Sequence, residues 1–171
     1  ADLVGLPGNH DDRAEVRSRF ALVPDGDGPI DHVVERDGYR VVCLDTTVPG
    51  RPEGNIIGDQ LAWLDTVLGE RPDTPAVVAQ HHPPFASGIA SMDKYGLAGA
   101  DAEADVLVRH PQVAGVVAGH YHRPITRAVG GTVAFACPST AVQIEARLGG
   151  GNTTYTTEPP ALALHRLVEG S

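Results

Sequence analysis

The sequence predicts a single α/β domain over residues 1–171, built as a layered sandwich with mixed sheets. Apolar residues make up 42% of the chain and charged residues 20%, which is typical of a globular protein. Strand-like and helix-like segments alternate in the first half, whereas hairpins dominate the second half. Neither an internal repeat nor a linker interrupts this order, so we expect one domain.

The first third of the chain predicts a strand, a short helix and a hairpin. The apolar residues 2–6 predict the strand. The helix follows in "DDRAEVRSRFAL", where Asp12 and Glu15 have the spacing of a capping box. Two strand-like runs on either side of Asp37 and Gly38 predict the hairpin.

The middle of the chain predicts a helix, a buried strand and a long loop. In "GDQLAWLDTVLGE", Leu61, Leu64 and Leu68 recur at helical spacing, and Gly69 is expected to cap the helix end. "PAVVAQHHPP" predicts a buried strand that two prolines stop. Residues 85–100 are rich in glycine and alanine and predict a loop.

The last third predicts a helix in "DAEADVLVRH" and a buried strand in "VAGVVAGHYH". A second hairpin is expected around Gly130 and Gly131, followed by a loop in "LGGGNTTYTTEPP" and a closing strand in "ALALHRL". Trp63 is expected to fill the core, and Asp45 to tie a turn. For Arg13 and Arg123 we expect either a solvated side chain or contact with an anionic substrate.

Charge and cysteine content limit the partners and the location. The net charge of −9 argues against nucleic acid or an anionic membrane as a partner. It also opposes phosphate chemistry, unless bound cations supply positive charge locally. Cys43 and Cys137 lie in apolar, strand-like runs and favour two buried free thiols in a reducing, cytoplasmic setting, with a disulfide as the alternative.

Five of the eight histidines fall in three motifs, each placed where an apolar run stops. The motifs are "GNHDD" with His10, "QHHPP" with His81 and His82, and "GHYH" with His120 and His122. Ligand sites in α/β sheets collect at such strand ends. The other three histidines predict ordinary structural roles; they are His32, His165 and, explained by a helix dipole, His110.

These residue types suit a metal centre. Histidine is a common ligand for zinc, manganese or iron, and the Asn9 amide oxygen is an uncharged ligand. Side chains two apart in an extended segment point to one side, so His120 and His122 are expected to reach two adjacent metals or the same one. His10 could move a proton near neutral pH. Two metals about 3.5–4 Å apart are the usual clamp for displacement at phosphorus.

At these motifs the sequence resembles the calcineurin-like metallophosphoesterase superfamily, and within it the bacterial class III cyclic-nucleotide phosphodiesterases. The resemblance also covers "VVCLDTTVPG", "GDQLAWL", "MDKYGL" and "CPSTAVQI". It implies an αββα sandwich of two mixed sheets with a dinuclear iron, manganese or zinc site between them.

The resemblance also implies roles for single residues. Asn9, His81 and His120 would ligate one metal and His122 the other, while His10 would contact the scissile phosphate and protonate the leaving oxygen. Beside these, His82 is expected to support a ligand or to face and bind the substrate. A loop with Met92, Asp93 and Tyr95 is expected either to flank a nucleoside or to be ordinary surface.

The sequence departs from the family at its start, because an Asp-x-His and a Gly-Asp-x-x-Asp motif are absent. We therefore expect the C-terminal part of a larger, N-terminally truncated phosphoesterase. The remaining ligands are neutral and compensate poorly for repulsion between two divalent cations. This chain alone is expected to bind at most one metal, weakly, at Asn9, His81 and His120. Its first strand would leave an exposed edge prone to forming a homo-oligomer.

The complete protein is accordingly expected to be a metal-dependent phosphodiesterase, with this chain alone inactive. It would hydrolyse cyclic nucleotides such as 3′,5′-cAMP, or related small-molecule phosphodiesters, by metal-activated hydroxide. The alternatives are glycerophosphodiester or phosphomonoester hydrolysis by the same fold, a metal-poor non-catalytic scaffold, or a companion chain that supplies the missing motifs.

Overall fold

The computed structural model describes residues 3–36 and 38–167. It contains ten strands and four helices in that part of the chain. The strands are β1 His32–Arg36, β2 Tyr39–Leu44, β3 Gly54–Asn55, β4 Ala76–Gln80, β5 Leu97–Ala98, β6 Val113–Ala118, β7 Ile125–Val129, β8 Thr132–Ala136, β9 Gln143–Ile144 and β10 Tyr155–Thr156. The helices are α1 Arg13–Arg19, α2 Asp59–Gly69, α3 Ala90–Asp93 and α4 Ala100–Val108.

A six-stranded mixed sheet with the order β1-β2-β4-β6-β8-β7 forms the centre of the fold. Its inner strands β2, β4, β6 and β8 run parallel. The edge strands β1 and β7 are antiparallel partners in the two hairpins that the sequence predicts. Two small sheets, β3 with β5 and β9 with β10, lie beside it. The predicted α/β class with a mixed sheet is confirmed.

The core lies between this sheet and the helices α2 and α4. Leu64 and Leu68 of α2 and Leu107 of α4 are buried against β4 and β6, represented by Val78 and Val116. Trp63 packs against the same cluster, as predicted. The apolar periodicity of the two helices thus fixes which face each buries. It leaves the carboxyl ends of β2, β4 and β6 together at one edge.

The turn chemistry of the sequence is largely confirmed. The Asp12 carboxylate caps α1 by accepting hydrogen bonds from the backbone N–H groups of Ala14 and Glu15. Gly130 and Gly131 form the second hairpin turn with φ of 55° and 80°, which suits glycine. The predicted cap at Gly69 is wrong, because that residue is still helical and Glu70 ends the helix in a right-handed conformation.

Three predicted segments differ from the structure. Residues 3–6 form no strand, since no neighbouring strand pairs with them, and Leu3 is 75% exposed. Residues 161–167 also form no strand, and Leu164 is 92% exposed. The predicted loop 85–100 contains the short helix α3 and strand β5, which pairs with β3. Apolar content alone does not make a strand, because a strand also needs a neighbouring strand to pair with.

The structure also shows whether the two cysteines form a disulfide and whether a described helix could cross a membrane. Cys43 and Cys137 are both free, as favoured over a disulfide; Cys43 is fully buried as predicted, whereas Cys137 is only partly buried. Burial raises the pKa of the Cys43 thiol to about 12, so it stays protonated. In the described ranges, no helix has the length and apolar character required to cross a bilayer.

Candidate metal centre

Two strand ends and one loop bring the predicted ligands together. His81 directly follows β4, and His120 lies two residues after β6. The β4 and β6 ends are joined by the backbone N–H of Gly119, which donates to the His81 carbonyl at 3.0 Å. Asn9 enters from the loop before α1. Because β4 and β6 are parallel neighbours, their carboxyl ends deliver these side chains to one place.

His81 contacts Asn9 directly and lies close to His120. The ring Nε2–H of His81 donates to Oδ1 of Asn9 at 2.9 Å. Two ligand atoms each about 2.1 Å from one ion at a right angle would be about 3 Å apart. The His81 and His120 ring centroids are 5.2 Å apart. One ring nitrogen from each of His81, His82 and His120 lies within 4.8 Å of the others.

His120 has a ring nitrogen that nothing else in the described chain satisfies. Its Nε2 is buried without a hydrogen-bond partner, while the ring is also hydrogen-bonded to the backbone of Tyr95. Burial, reinforced by the neighbouring His82, lowers the pKa of His120 to about 3, so the ring is neutral. A neutral imidazole with one nitrogen held by the backbone and the other free is the usual arrangement of a metal ligand.

His122 reaches the same pocket by a backbone route that the sequence did not predict. His120 and His122 have φ of 65° and 51°, so "GHYH" is left-handed at both histidines and the expected extended segment is wrong. The Nδ1–H of His122 donates to the Val142 carbonyl at 2.8 Å. The Nε2 atom of His122 is therefore left as its acceptor nitrogen.

His82 lies behind this group and is fully buried. Its Nε2–H donates to the Pro52 carbonyl at 3.1 Å, and its Nδ1 accepts from the Thr46 hydroxyl at 2.9 Å. Both ring nitrogens are thus engaged, and His82 does not line the pocket. This placement matches support of the neighbouring ligands and does not match contact with a substrate.

His10 is exposed at the rim of a pocket of about 360 Å³. The pocket is lined by Asn9, His81, His120 and His122. Its lining also includes Asp11 and a largely apolar and aromatic group, Met92, Tyr95, Ile144, Thr153 and Tyr155. Asp93 is absent from the lining, because its carboxylate accepts hydrogen bonds from Ser87 and Gly88 instead.

Two glycines that the sequence analysis did not single out make room for the histidine rings. A Cβ at Gly54 would lie 2.4 Å from the His82 ring, and one at Gly8 would lie 2.9 Å from the His81 ring. Contacts this short force a ring to move. The glycines and Thr46 carried no sequence signal, because their role depends on contacts between distant segments.

Arg13 connects the loop before α1 to the end of β2. Its Nε–H donates to Oδ2 of Asp45 at 2.6 Å, and an Nη2–H donates to the Thr47 carbonyl at 2.9 Å. The Asp45 side chain is fully buried and also accepts from the backbone N–H of Ile30. Asp45 therefore ties this turn, as predicted. The expectation of a solvated Arg13 side chain is therefore wrong.

The remaining expectations concern side chains away from the pocket. Arg123 pairs with Glu158 and donates to the Ile144 carbonyl, so it is neither solvated nor free for substrate. The ring Nε2–H of His110 donates to Oδ1 of Asp65 at 2.7 Å. The helix dipole alone therefore does not explain why a histidine stands at this helix end. The other two histidines also have structural contacts; His32 is hydrogen-bonded to the Ile30 carbonyl, and His165 packs on Phe135.

Comparison with known proteins agrees with this geometry. The family described as calcineurin-like phosphoesterase matches residues 1–124. The chain belongs to the calcineurin-like phosphoesterase family. A dimetal phosphatase from Danio rerio has the same fold with a TM-score of 0.54 and 17% identity, over 64% of this chain and 49% of that one.

Two curated relatives in the family match almost all of this chain. A cAMP/cGMP dual specificity phosphodiesterase from Mycobacterium tuberculosis is 32% identical over 99% of the chain and 63% of its own length. A probable glycerophosphodiester phosphodiesterase from Arcobacter nitrofigilis is 30% identical over 96% of the chain and 62% of its own length. The chain spans between 54% and 63% of the length of the first curated relatives it matches.

Membership of this family implies divalent metal ions, and the side chains present fit them. The buried, unpartnered Nε2 of His120 is the decisive observation, because a buried nitrogen acceptor with no partner is costly unless a ligand occupies it. Imidazole nitrogens with an amide oxygen form a donor set that iron, manganese and zinc all accept.

Proposed function

We propose that this chain contributes the histidine-rich half of the active site of a metal-dependent phosphodiesterase. Asn9, His81 and His120 hold one divalent metal, and His122 serves the second. The observation that carries the proposal is the unpartnered Nε2 of His120, which lies beside the Asn9–His81 pair in a pocket rimmed by an exposed histidine.

When bound at these residues, divalent metals would supply Lewis-acid chemistry, activating water and stabilising negative charge on the phosphate oxygens. His10, exposed at the pocket rim, contacts the phosphate and donates a proton to the departing ester oxygen. His82 keeps its neighbours in place through Thr46 and Pro52. Substitution of His10 should therefore lower the rate of the chemical step, whereas substitution of His82 should disturb the position of the neighbouring histidines.

The substrate is a small phosphodiester, and cyclic nucleotides such as 3′,5′-cAMP fit best. Tyr95, Tyr155, Met92 and Ile144 line the same pocket as the histidines and offer an apolar surface to a planar base. The mycobacterial relative, named for activity on cAMP and cGMP, supports this substrate class. The charge of −9 argues against nucleic acid or an anionic membrane as a partner, and the two free cysteines support a cytoplasmic location.

This chain alone holds at most one metal, and weakly. The proposed ligands of that ion, Asn9, His81 and His120, include no carboxylate. Neutral ligands do little to offset repulsion between two divalent cations. The metal is iron, manganese or zinc, since the donor set suits all three.

Glycerophosphodiester hydrolysis is the second candidate, favoured by the relative named for that activity. The metal-binding side chains serve both reactions equally, and the pocket wall selects between them. A metal-poor scaffold is disfavoured because His120 keeps a nitrogen acceptor that only a ligand would satisfy.

The test is an assay of the natural full-length protein with added Mn²⁺ against cAMP, a glycerophosphodiester and an aryl phosphate monoester. We expect cAMP hydrolysis with the highest kcat/KM, and a fall of about 100-fold in kcat for His10→Ala, within the usual range for general acid catalysis. His165→Ala, an exposed histidine packed on Phe135, is the matched control and should leave kcat unchanged. Preference for the monoester, or an unchanged kcat in His10→Ala, would contradict the proposal.

A further inference from the structure

A buried carboxyl group lies behind the candidate metal centre. Glu103 of α4 is fully buried and faces Gln80, the last residue of β4, which is 4% exposed. The Gln80 side-chain amide donates to Oε2 of Glu103 at 3.2 Å and to the His82 carbonyl at 2.8 Å. Gln80 therefore links helix α4 to the backbone of the His81–His82 segment.

One oxygen on each side of this contact is left without a partner. Oε1 of Glu103 and Oε1 of Gln80 are both buried and make no hydrogen bond in the described structure. An ionised carboxylate has only acceptors, so it could satisfy neither oxygen. A proton on Oε1 of Glu103 supplies the missing donor, because a carboxylic acid and an amide each present one donor and one acceptor side by side.

We propose that Glu103 is a neutral carboxylic acid that pairs with the Gln80 amide through two hydrogen bonds and thereby positions the His81–His82 segment. Burial raises the pKa of Glu103 to about 7, in the direction that this pairing requires. Glu103 touches neither the pocket nor the substrate, so it is a positioning residue. The functional consequence rests on the proposed metal site.

The pairing matters because it fixes one of the two carbonyl groups of the histidine segment. The His81 carbonyl accepts from the backbone N–H of Gly119, and the His82 carbonyl accepts from Gln80. Without Glu103, the Gln80 side chain loses its partner on α4, and a buried amide that has lost a partner reorients toward other groups. The His82 carbonyl is then released, and the adjacent His81 ring loses its fixed orientation toward Asn9.

Three variants separate this role from general loosening of α4. Glu103→Gln keeps a neutral side chain that can donate to and accept from Gln80, whereas Glu103→Leu fills similar volume without polar atoms. Val106→Ala, a buried residue of the same helix that packs in the apolar core cluster, is the matched control for lost stability. Each variant is compared with the wild-type chain by thermal unfolding, so that only folded samples are used.

Two measurements are made on the metal-free chain. The first is the ring-nitrogen NMR spectrum of His81 and His82, which we expect Glu103→Leu to change while Glu103→Gln and Val106→Ala leave it as in the wild type. The second is the infrared carbonyl band of a protonated carboxylic acid at pH 6, which should vanish in Glu103→Gln. Unchanged histidine spectra in Glu103→Leu, equal changes in Val106→Ala, or the absence of the infrared band would overturn the proposal.

The third measurement is Mn²⁺ affinity by calorimetry. We expect it to fall about 3- to 10-fold in Glu103→Leu and to stay within 2-fold in Glu103→Gln and Val106→Ala, since partners behind a ligand tune affinity by such factors. Equal affinity in Glu103→Leu and the wild type would refute the positioning role. If the wild-type chain binds no Mn²⁺, the proposed metal site fails, and the metal-free measurements still decide the pairing of Glu103.

Discussion

The ring Nε2–H of His81 donates to Oδ1 of Asn9 across 2.9 Å, although 72 residues separate them in the sequence. This contact joins the loop before α1 to the end of β4. His120 completes the group from the end of β6, with its ring centroid 5.2 Å from that of His81. The candidate metal centre therefore depends on three segments that meet only in the folded chain.

Removing the His120 imidazole should weaken metal binding without unfolding the protein. Among the described residues the Nε2 atom has no hydrogen-bond partner, so a substitution breaks no protein hydrogen bond at that atom. We expect Mn²⁺ affinity in His120→Ala to fall at least about 10-fold, measured by calorimetry. His165→Ala should bind Mn²⁺ as the wild type does. Equal affinity in His120→Ala would remove His120 from the ligand set.

Loss of the Arg13 guanidinium should destabilise the fold more than loss of an exposed arginine. Arg13→Gln leaves the fully buried Asp45 carboxylate without its ion-pair partner. We expect the free energy of unfolding to fall by roughly 2–4 kcal/mol in urea denaturation. Arg19→Gln, which breaks the exposed pair with Glu15, should change it by less than about 1 kcal/mol. Equal effects of the two substitutions would contradict a structural role for the Arg13–Asp45 pair.

Adding one methyl group at Gly54 should displace the His82 ring. The new Cβ would lie 2.4 Å from that ring, and the ring is held by Thr46 and Pro52. We expect Gly54→Ala to cost about 1–3 kcal/mol of stability, as overpacking usually does. Gly28→Ala meets no atom within 4 Å and should change stability by less than about 0.5 kcal/mol. A neutral Gly54→Ala would mean that His82 is not confined.

Stability should depend on pH through Glu103. Its pKa is raised from 4.5 to about 7 in the folded chain by burial, partly offset by the hydrogen bond from Gln80. The folded state therefore binds its proton more tightly than the unfolded state. The resulting stabilisation is complete below about pH 4.5 and is lost as the pH rises through about 7, by roughly 3 kcal/mol in total.

The matching experiment compares chemical denaturation of wild type and Glu103→Gln at pH 5.5 and pH 8. Gln cannot ionise, so the variant should gain stability relative to wild type at pH 8. Glu15→Gln, which alters an exposed carboxyl, is the control and should not change the pH dependence. A wild-type profile that Glu103→Gln leaves unaltered would show that Glu103 does not titrate in this range.

The sequence predicted elements whose own periodicity determines them. Helix α2 follows from the spacing of Leu64 and Leu68, and the turn at Gly130 and Gly131 follows from their tolerance of positive φ. The sequence-based predictions failed where strand formation depends on pairing with a distant segment. Residues 161–167 are apolar enough for a strand but pair with none, and β5 forms only because β3 lies beside it.

The candidate site likewise has residues that the sequence predicts and features that it does not. The sequence motifs pointed to Asn9, His81, His120 and His122, because polar residues that stand where an apolar run stops carry a local signal. The left-handed backbone at His120 and His122 had no such signal, nor did the two partners that hold His82. Those features depend on contacts among β2, β4 and the loop at Pro52, which no local pattern encodes.

The central claim is that Asn9, His81 and His120 share one metal ion. Anomalous X-ray diffraction from crystals of this chain soaked in Mn²⁺ tests it most directly. We predict one partially occupied peak among Asn9 Oδ1, His81 Nε2 and His120 Nε2. No peak at these atoms, or two fully occupied metal positions in this chain, would contradict it.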